Sequence, residues 1–170
     1  MKKLAPSNAA ARLLGGDTIH ALCKLPFGNA RLSSKRGRLT KAALQLHRRQ
    51  WASTIAAYID EISMISGDQF CQVDVRCRQA KMNFNRAFGA LAINIGGDFL
   101  QLPPVDKNGS RLSLALPLND TGKTVGQDIG EAEAKTAAAE SRQGRALWSS
   151  IRKVVCLTIN VRAPDILSRL

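Results

Sequence analysis

Thr54-Ile55-Ala56-Ala57-Tyr58-Ile59-Asp60-Glu61-Ile62-Ser63-Met64 runs from an apolar segment straight into two adjacent acids. Residues 54–59 carry β-branched and aromatic side chains and no charge, which predicts a short buried strand. Two carboxylates at the end of such a strand are costly unless something compensates them. A bound Mg²⁺ is one compensation, since the ion takes one or two carboxylates together with phosphate oxygens and water. In nucleotide hydrolysis one acid then holds the ion and its neighbour orients the attacking water. A solvated turn whose acids cap the next element is the competing reading, and the doublet alone does not separate the two.

The flanking sequence supplies context. Ser66 and Gln69 fit an S-x-x-Q capping box, and Phe70, Val73, Cys77 and Ala80 recur at helical spacing. A second apolar run, residues 90–95, ends in Gly96-Gly97-Asp98. Strand, helix and strand with polar residues at both carboxyl ends is how parallel α/β sheets place their ligand sites. The segment Gly97-Asp98-Phe99-Leu100-Gln101-Leu102-Pro103-Pro104-Val105 then stiffens at its prolines and carries Asp98 and Gln101 at fixed spacing. A Gln amide there suits a terminal phosphate. A loop whose Asp and Gln only satisfy backbone groups is the alternative.

Upstream, residues 4–14 read as a strand end, a turn and a short helix capped by Ser7 and stopped by Gly15-Gly16. Asp17 or Thr18 caps a second helix covering Ile19, Ala21, Leu22 and Leu25. Residues 26–38 read as a basic loop, and 39–51 as a helix ending near Trp51. Downstream, residues 119–146 have few large apolar side chains and read as a low-complexity, disordered insertion. Leu147, Trp148 and Ile151 suggest a last helix, and residues 154–159 a third buried strand followed by Asn160-Val161-Arg162.

Lys and Arg total 25 against 13 acids, a net charge of +12, which favours a polyanionic partner: nucleic acid first, an anionic membrane surface second. Cys23, Cys71, Cys77 and Cys156 form no C-x-x-C pair and have no histidine at zinc spacing, so they read as buried reduced thiols. No stretch approaches the ~20 apolar residues of a membrane span. The start, Met1-Lys2-Lys3-Leu4-Ala5-Pro6, lacks the apolar run of a secretory signal.

The acid doublet and the Gly97-to-Val105 segment together resemble the petite-integration-frequency (PIF) family of DNA helicases, which includes the helicase domains of Helitron-type transposons. Ala5-Pro6-Ser7-Asn8-Ala9-Ala10, with Gly15-Gly16-Asp17-Thr18-Ile19-His20, looks like helicase motif Ia, and Leu157-Thr158-Ile159-Asn160-Val161-Arg162 looks like motif IV. The resemblance implies a RecA-like P-loop NTPase domain, α/β with a mostly parallel sheet flanked by helices, N-terminally truncated. Residues 1–118 would hold most of it, with a basic subdomain near 26–51, and 147–170 its last helix and strand.

It also implies roles. Asp60 would coordinate Mg²⁺ and Glu61 would be the catalytic carboxylate. Gln101 would sense the γ-phosphate of ATP, Asp98 would support that loop, and Arg162 would reach the phosphates, where a permanently charged planar fork suits spreading charge. By spacing alone Arg162 is not separable from a surface cation. Thr18 and His20 would lie near a single-stranded DNA track; without the resemblance His20 reads as a helix-face histidine. Arg31, Lys35, Arg36 and Arg38 would belong to a subdomain that helps split forked DNA, with a solvated loop as the equal alternative. The implied activity is ATP-driven unwinding with 5′-to-3′ movement, in repair, recombination, replication or telomere upkeep, intracellular and nuclear or else mitochondrial. No membrane and no obligate protein partner is implied.

Helicases of this family carry G-x-x-x-x-G-K-[ST] upstream of motif Ia. Gly122-Lys123-Thr124 resembles its end, but Pro117 occupies the position that requires Gly. The expectation is therefore a fragment that lacks the phosphate-binding loop and the second motor domain and is inactive by itself. A catalytically dead nucleic-acid-binding remnant of a transposon helicase is the alternative. A clamp-loader-type ATPase, which also sets an acid pair after a strand, fits the proline segment and motif Ia less well.

Overall fold

Ser7 accepts a hydrogen bond from Ala10 N at 3.2 Å and starts α1 (Asn8–Leu14), as its place after a strand end predicts. Gly15 takes the left-handed conformation, φ 65°, and its N–H closes the helix onto Arg12 O. In this computed structural model the described residues are 1–26, 31–101, 104, 114 and 131–158, with backbone alone for 131–135 and 137. The expectations for Arg162, for residues 119–130 and for Leu102, Pro103 and Val105 lie outside them.

β1 (Lys2–Ala5) precedes α1; β2 (Asp17–Thr18) and α2 (Ile19–Cys23) follow it. Thr18 does two things at once, pairing with Ala5 in the sheet and capping α2 through Ala21 N. α3 (Lys41–Trp51) then leads to β3 (Ala56–Ile59). A 3₁₀ turn (Ile62–Met64) joins β3 to α4 (Gly67–Lys81), and a second one (Ala87–Ala90) leads into β4 (Ala92–Ile95). The expected capping box is present: Ser66 receives Gln69 N while Gln69 receives Ser66 N. The last element is α5 (Glu131–Ser149).

The four strands form one parallel sheet in the order β2-β1-β3-β4. Leu4 and Ile59 from its centre pack with Ile19, Trp51, Phe70 and Val73 in one buried cluster. Each such side chain contributes about 1.5–3 kcal/mol by leaving water. α4 is buried along nearly its whole length because α2, α3, α5 and the second 3₁₀ turn all pack on it. Lys81 at its end donates to the carbonyls of Trp51, Ala52 and Thr54, which closes α3 and fixes the entry to β3.

Two expectations fail. Residues 131–146 are helical, not disordered. Their many alanines favour helix strongly, and the helix docks through small residues: Gly144 is buried so tightly on Gly67 that a Cβ would collide with it. Counting large apolar side chains misses a contact of that kind. The third strand is also absent where it can be seen: residues 154–158 have no regular structure and are exposed. An apolar run becomes a strand only beside an open edge, and no described strand pairs with it.

Candidate nucleotide site and basic cleft

Ile59 pairs with Ile95, so Asp60 and Gly96 leave the sheet side by side. The two tips are bonded together: Gly96 N donates to Ile59 O at 2.8 Å, and Ile62 N donates to Gly96 O at 3.1 Å. The approach is too close for a side chain. A Cβ at Gly96 would lie 2.1 Å from the Tyr58 hydroxyl, and one at Gly97 2.7 Å from Ile62 N.

Tyr58 is a site residue that sequence reading missed. Its hydroxyl donates to Asp60 Oδ1 at 3.2 Å. Burial pushes its phenol up, and the negative charge of Asp60, their hydrogen bond and the charge of Glu61 push it further. The available signal was its spacing of two from Asp60, which puts both side chains on one side of an extended chain. Glu61 adopts the left-handed conformation, φ 51° and ψ 47°, which costs a non-glycine residue about 1–2 kcal/mol. The turn sends Ile62 into the core while the Glu61 side chain stays half-buried.

Beyond β4, Asp98 Oδ1 accepts from Leu100 N at 2.9 Å and its carbonyl from Gln101 N at 3.1 Å. Gln101 Nε2 lies 3.5 Å from Asp98 Oδ2. Asp98 thus shapes the turn that carries Gln101, and both are exposed. Among the described residues no hydrogen bond joins Gln101 to the doublet. Among the described residues the ion pairs are those of Arg31 with Asp68 and Glu140, and of Arg78 with Asp74, and Asp60, Glu61 and Asp98 have none. Among the described residues no group of three or more metal-ligating side chains converges. An acid doublet without a protein cation suits Mg²⁺, which keeps several waters and does not require a full cage.

The expected nucleic-acid residues divide. His20 lines a cleft of about 500 Å³ whose other walls include Lys24, Leu25, Pro26, Arg36 and Leu39. Lys35, Arg36 and Arg38 are exposed, with Arg38 Nη2 donating to Ser33 O at 3.3 Å. Lys24, unnoticed in the sequence, ends α2 in the left-handed conformation, φ 53°, and faces this cleft. The Thr18 hydroxyl is committed to capping α2. Arg31 corrects the expectation. Its Nη1 lies 3.2 Å from Asp68 and 2.9 Å from Glu140, and its side chain is only 18% exposed. It ties the basic loop to α4 and α5 and does not belong with the exposed cations. Of the expected motif IV, Leu157 and Thr158 are exposed and the rest lies outside the described residues.

Comparisons with known proteins bear on the family and the fold. Human ATP-dependent DNA helicase PIF1 is 35% identical over 103 residues, covering 61% of this chain and 15% of that protein. ATP-dependent DNA helicase PIF6 of Trypanosoma brucei brucei is 35% identical over 107 residues, covering 63% and 13%. The crystal structure of Pif1 helicase from Bacteroides in complex with ADP-AlF3 and ssDNA superposes with a TM-score of 0.53 at 31% identity, over 62% of this chain and 24% of that one. The chain thus spans about one seventh of the length of these curated relatives. The family model for PIF1-like helicase matches residues 2–120, and with its RecA-like parallel sheet the chain belongs to the PIF1-like helicase family.

Proposed function

We propose that this chain is part of the first motor domain of an ATP-dependent DNA helicase. The carrying observation is that the doublet Asp60-Glu61 and the Asp98-to-Gln101 turn leave neighbouring parallel strands at the same carboxyl end, with no cation from the described residues paired to the acids. Asp60, oriented by Tyr58, would hold Mg²⁺, which supplies charge neutralisation on the triphosphate when bound. Glu61, placed by its left-handed turn, would accept the proton of the attacking water. Gln101 would meet the terminal phosphate on the turn that Asp98 holds, and Arg162 is assigned to the phosphates by its motif. Single-stranded or forked DNA would run along the cationic side formed by His20, Lys24, Lys35, Arg36 and Arg38. The nucleus is the proposed compartment.

The 170 residues contain no G-x-x-x-x-G-K-[ST] pattern. We therefore propose that these residues by themselves bind ATP weakly and turn none over, for want of the backbone donors and lysine that hold the phosphates. The same observation favours a second reading, a nucleic-acid-binding remnant that keeps the fold without the reaction. Sequencing the transcript upstream of the Met1 codon separates them. A strand followed by that pattern supports the motor, and its absence supports the remnant.

A further inference from the structure

Arg76 is a buried cation with no ion pair among the described residues. It sits on α4 and is 2% exposed. Its guanidinium is spent on neutral oxygens instead. Nη2 donates to Lys24 O at 3.2 Å and to Gly37 O at 2.5 Å, and Nη1 donates to Gln79 Oε1 at 2.8 Å. Nε is buried with no partner. Lys24 and Gly37 both line the basic cleft, one at the end of α2 and the other in the loop after it. They lie 52 and 39 residues from Arg76 in sequence. The backbone carbonyl of Arg76 in turn bonds His47 Nε2 of α3 at 3.1 Å, so the helix position itself is pinned.

Burial disfavours the charged form of this side chain and pulls its pKa down. An apolar residue of similar length would fill the space without that cost. What an arginine adds is a rigid planar fork: Nη2 reaches both carbonyls while Nη1, fixed in the same plane, is held by Gln79 Oε1. Here those carbonyls belong to two separate segments that line one cleft, and the cations of the cleft, Lys24 and Arg36, hang from the same backbone segments.

We propose that Arg76 is a positioning residue: it holds α2 and the 36–37 segment at the separation at which Lys24 and Arg36 grip one nucleic-acid phosphate together. This rests on the DNA reading of the cleft given above. α4 begins directly after the turn that bears Glu61, so the spacing of the cleft is set from the helix that also leaves the nucleotide side.

The test is fluorescence anisotropy of the 170-residue chain with labelled oligothymidylate, combined with a thermal melt of each variant. Lys24→Gly removes a cleft charge at a backbone position that glycine accepts. Alone it should weaken binding about tenfold, the loss of one charge-assisted contact. Arg76→Lys keeps the charge but not the fork, and should also weaken binding about tenfold per folded chain. In the Arg76→Lys background, Lys24→Gly should then cost less than about threefold, because the two act as a unit. If Arg76→Lys does not fold, Gly37→Ala displaces the same wall from the loop side, where a Cβ would strike the Arg31 backbone, and should make Lys24→Gly equally mild. A lowered melting point with affinity unchanged, or full tenfold additivity in either background, overturns the proposal. Absence of salt-sensitive binding by the parent chain overturns the DNA reading itself, and the positioning role with it.

Discussion

At the tips of β3 and β4 the acids Asp60, Glu61 and Asp98 have no cationic partner among the described residues, whereas on the helical side Asp68, Asp74 and Glu140 are each held by an arginine. Cations are plentiful in a chain of net charge +12, so scarcity does not explain the difference. Burial does. Asp74 is 0% exposed and Asp68 8%, where an unpaired carboxylate is costly, while the strand-tip acids are half-buried or exposed. The paired acids brace the helical side, Asp74 within α4 and Asp68 with Glu140 through Arg31. The unpaired ones sit where solvent reaches them.

The sharpest way to break this contrast is at Glu61. In a form of the protein that includes a phosphate-binding loop, Glu61→Gln should lower phosphate release by about 100-fold or more while nucleotide binding persists. Undiminished turnover would show that the acid does nothing chemical. The cationic side gives the next largest effect. If Lys24 and Arg36 share one phosphate and Lys35 and Arg38 each meet another, single-strand affinity should fall roughly twentyfold between 50 and 200 mM salt. A flat salt response, read by anisotropy, would return those side chains to the role of solvated surface.

Smaller effects sharpen the structural half. Arg31→Met strips Asp68 and Glu140 of their cation and should cost about 2 kcal/mol in urea unfolding, less than for a fully buried pair because the arginine remains partly hydrated. Affinity for single strands, corrected for folded fraction, should not change; a loss there would restore Arg31 to the DNA-binding set. Ser66→Ala removes one side of the capping box and should cost about 1 kcal/mol by the same measurement.

Much of the region from β1 to β4 was legible because its signals are local. Ser7, Thr18 and Ser66 announce helix starts by their own side chains, and the strand ending at Asp60 announces itself by an uninterrupted apolar run. The neighbouring placement of the doublet and Asp98 followed from strand-helix-strand order. Lys24 and Arg76 were not legible as site residues, since each acquires its role only when a distant segment arrives: Arg36 near Lys24, Gly37 over Arg76; Tyr58 had only its spacing of two from Asp60 to mark it. Arg31 looked like its basic neighbours for the same reason, its partners being 37 and 109 residues away. Helix α5 was misjudged because a glycine–glycine contact leaves no hydropathy trace.

The crowding at Gly96 bears on how a mutational map of this domain would look. With the tyrosine oxygen 2.1 Å from the point where a methyl group would begin, even alanine must swing the Tyr58 ring off its bond to Asp60. A saturation scan should therefore show a trough at a position with no functional atoms of its own, next to the one at the carboxylates.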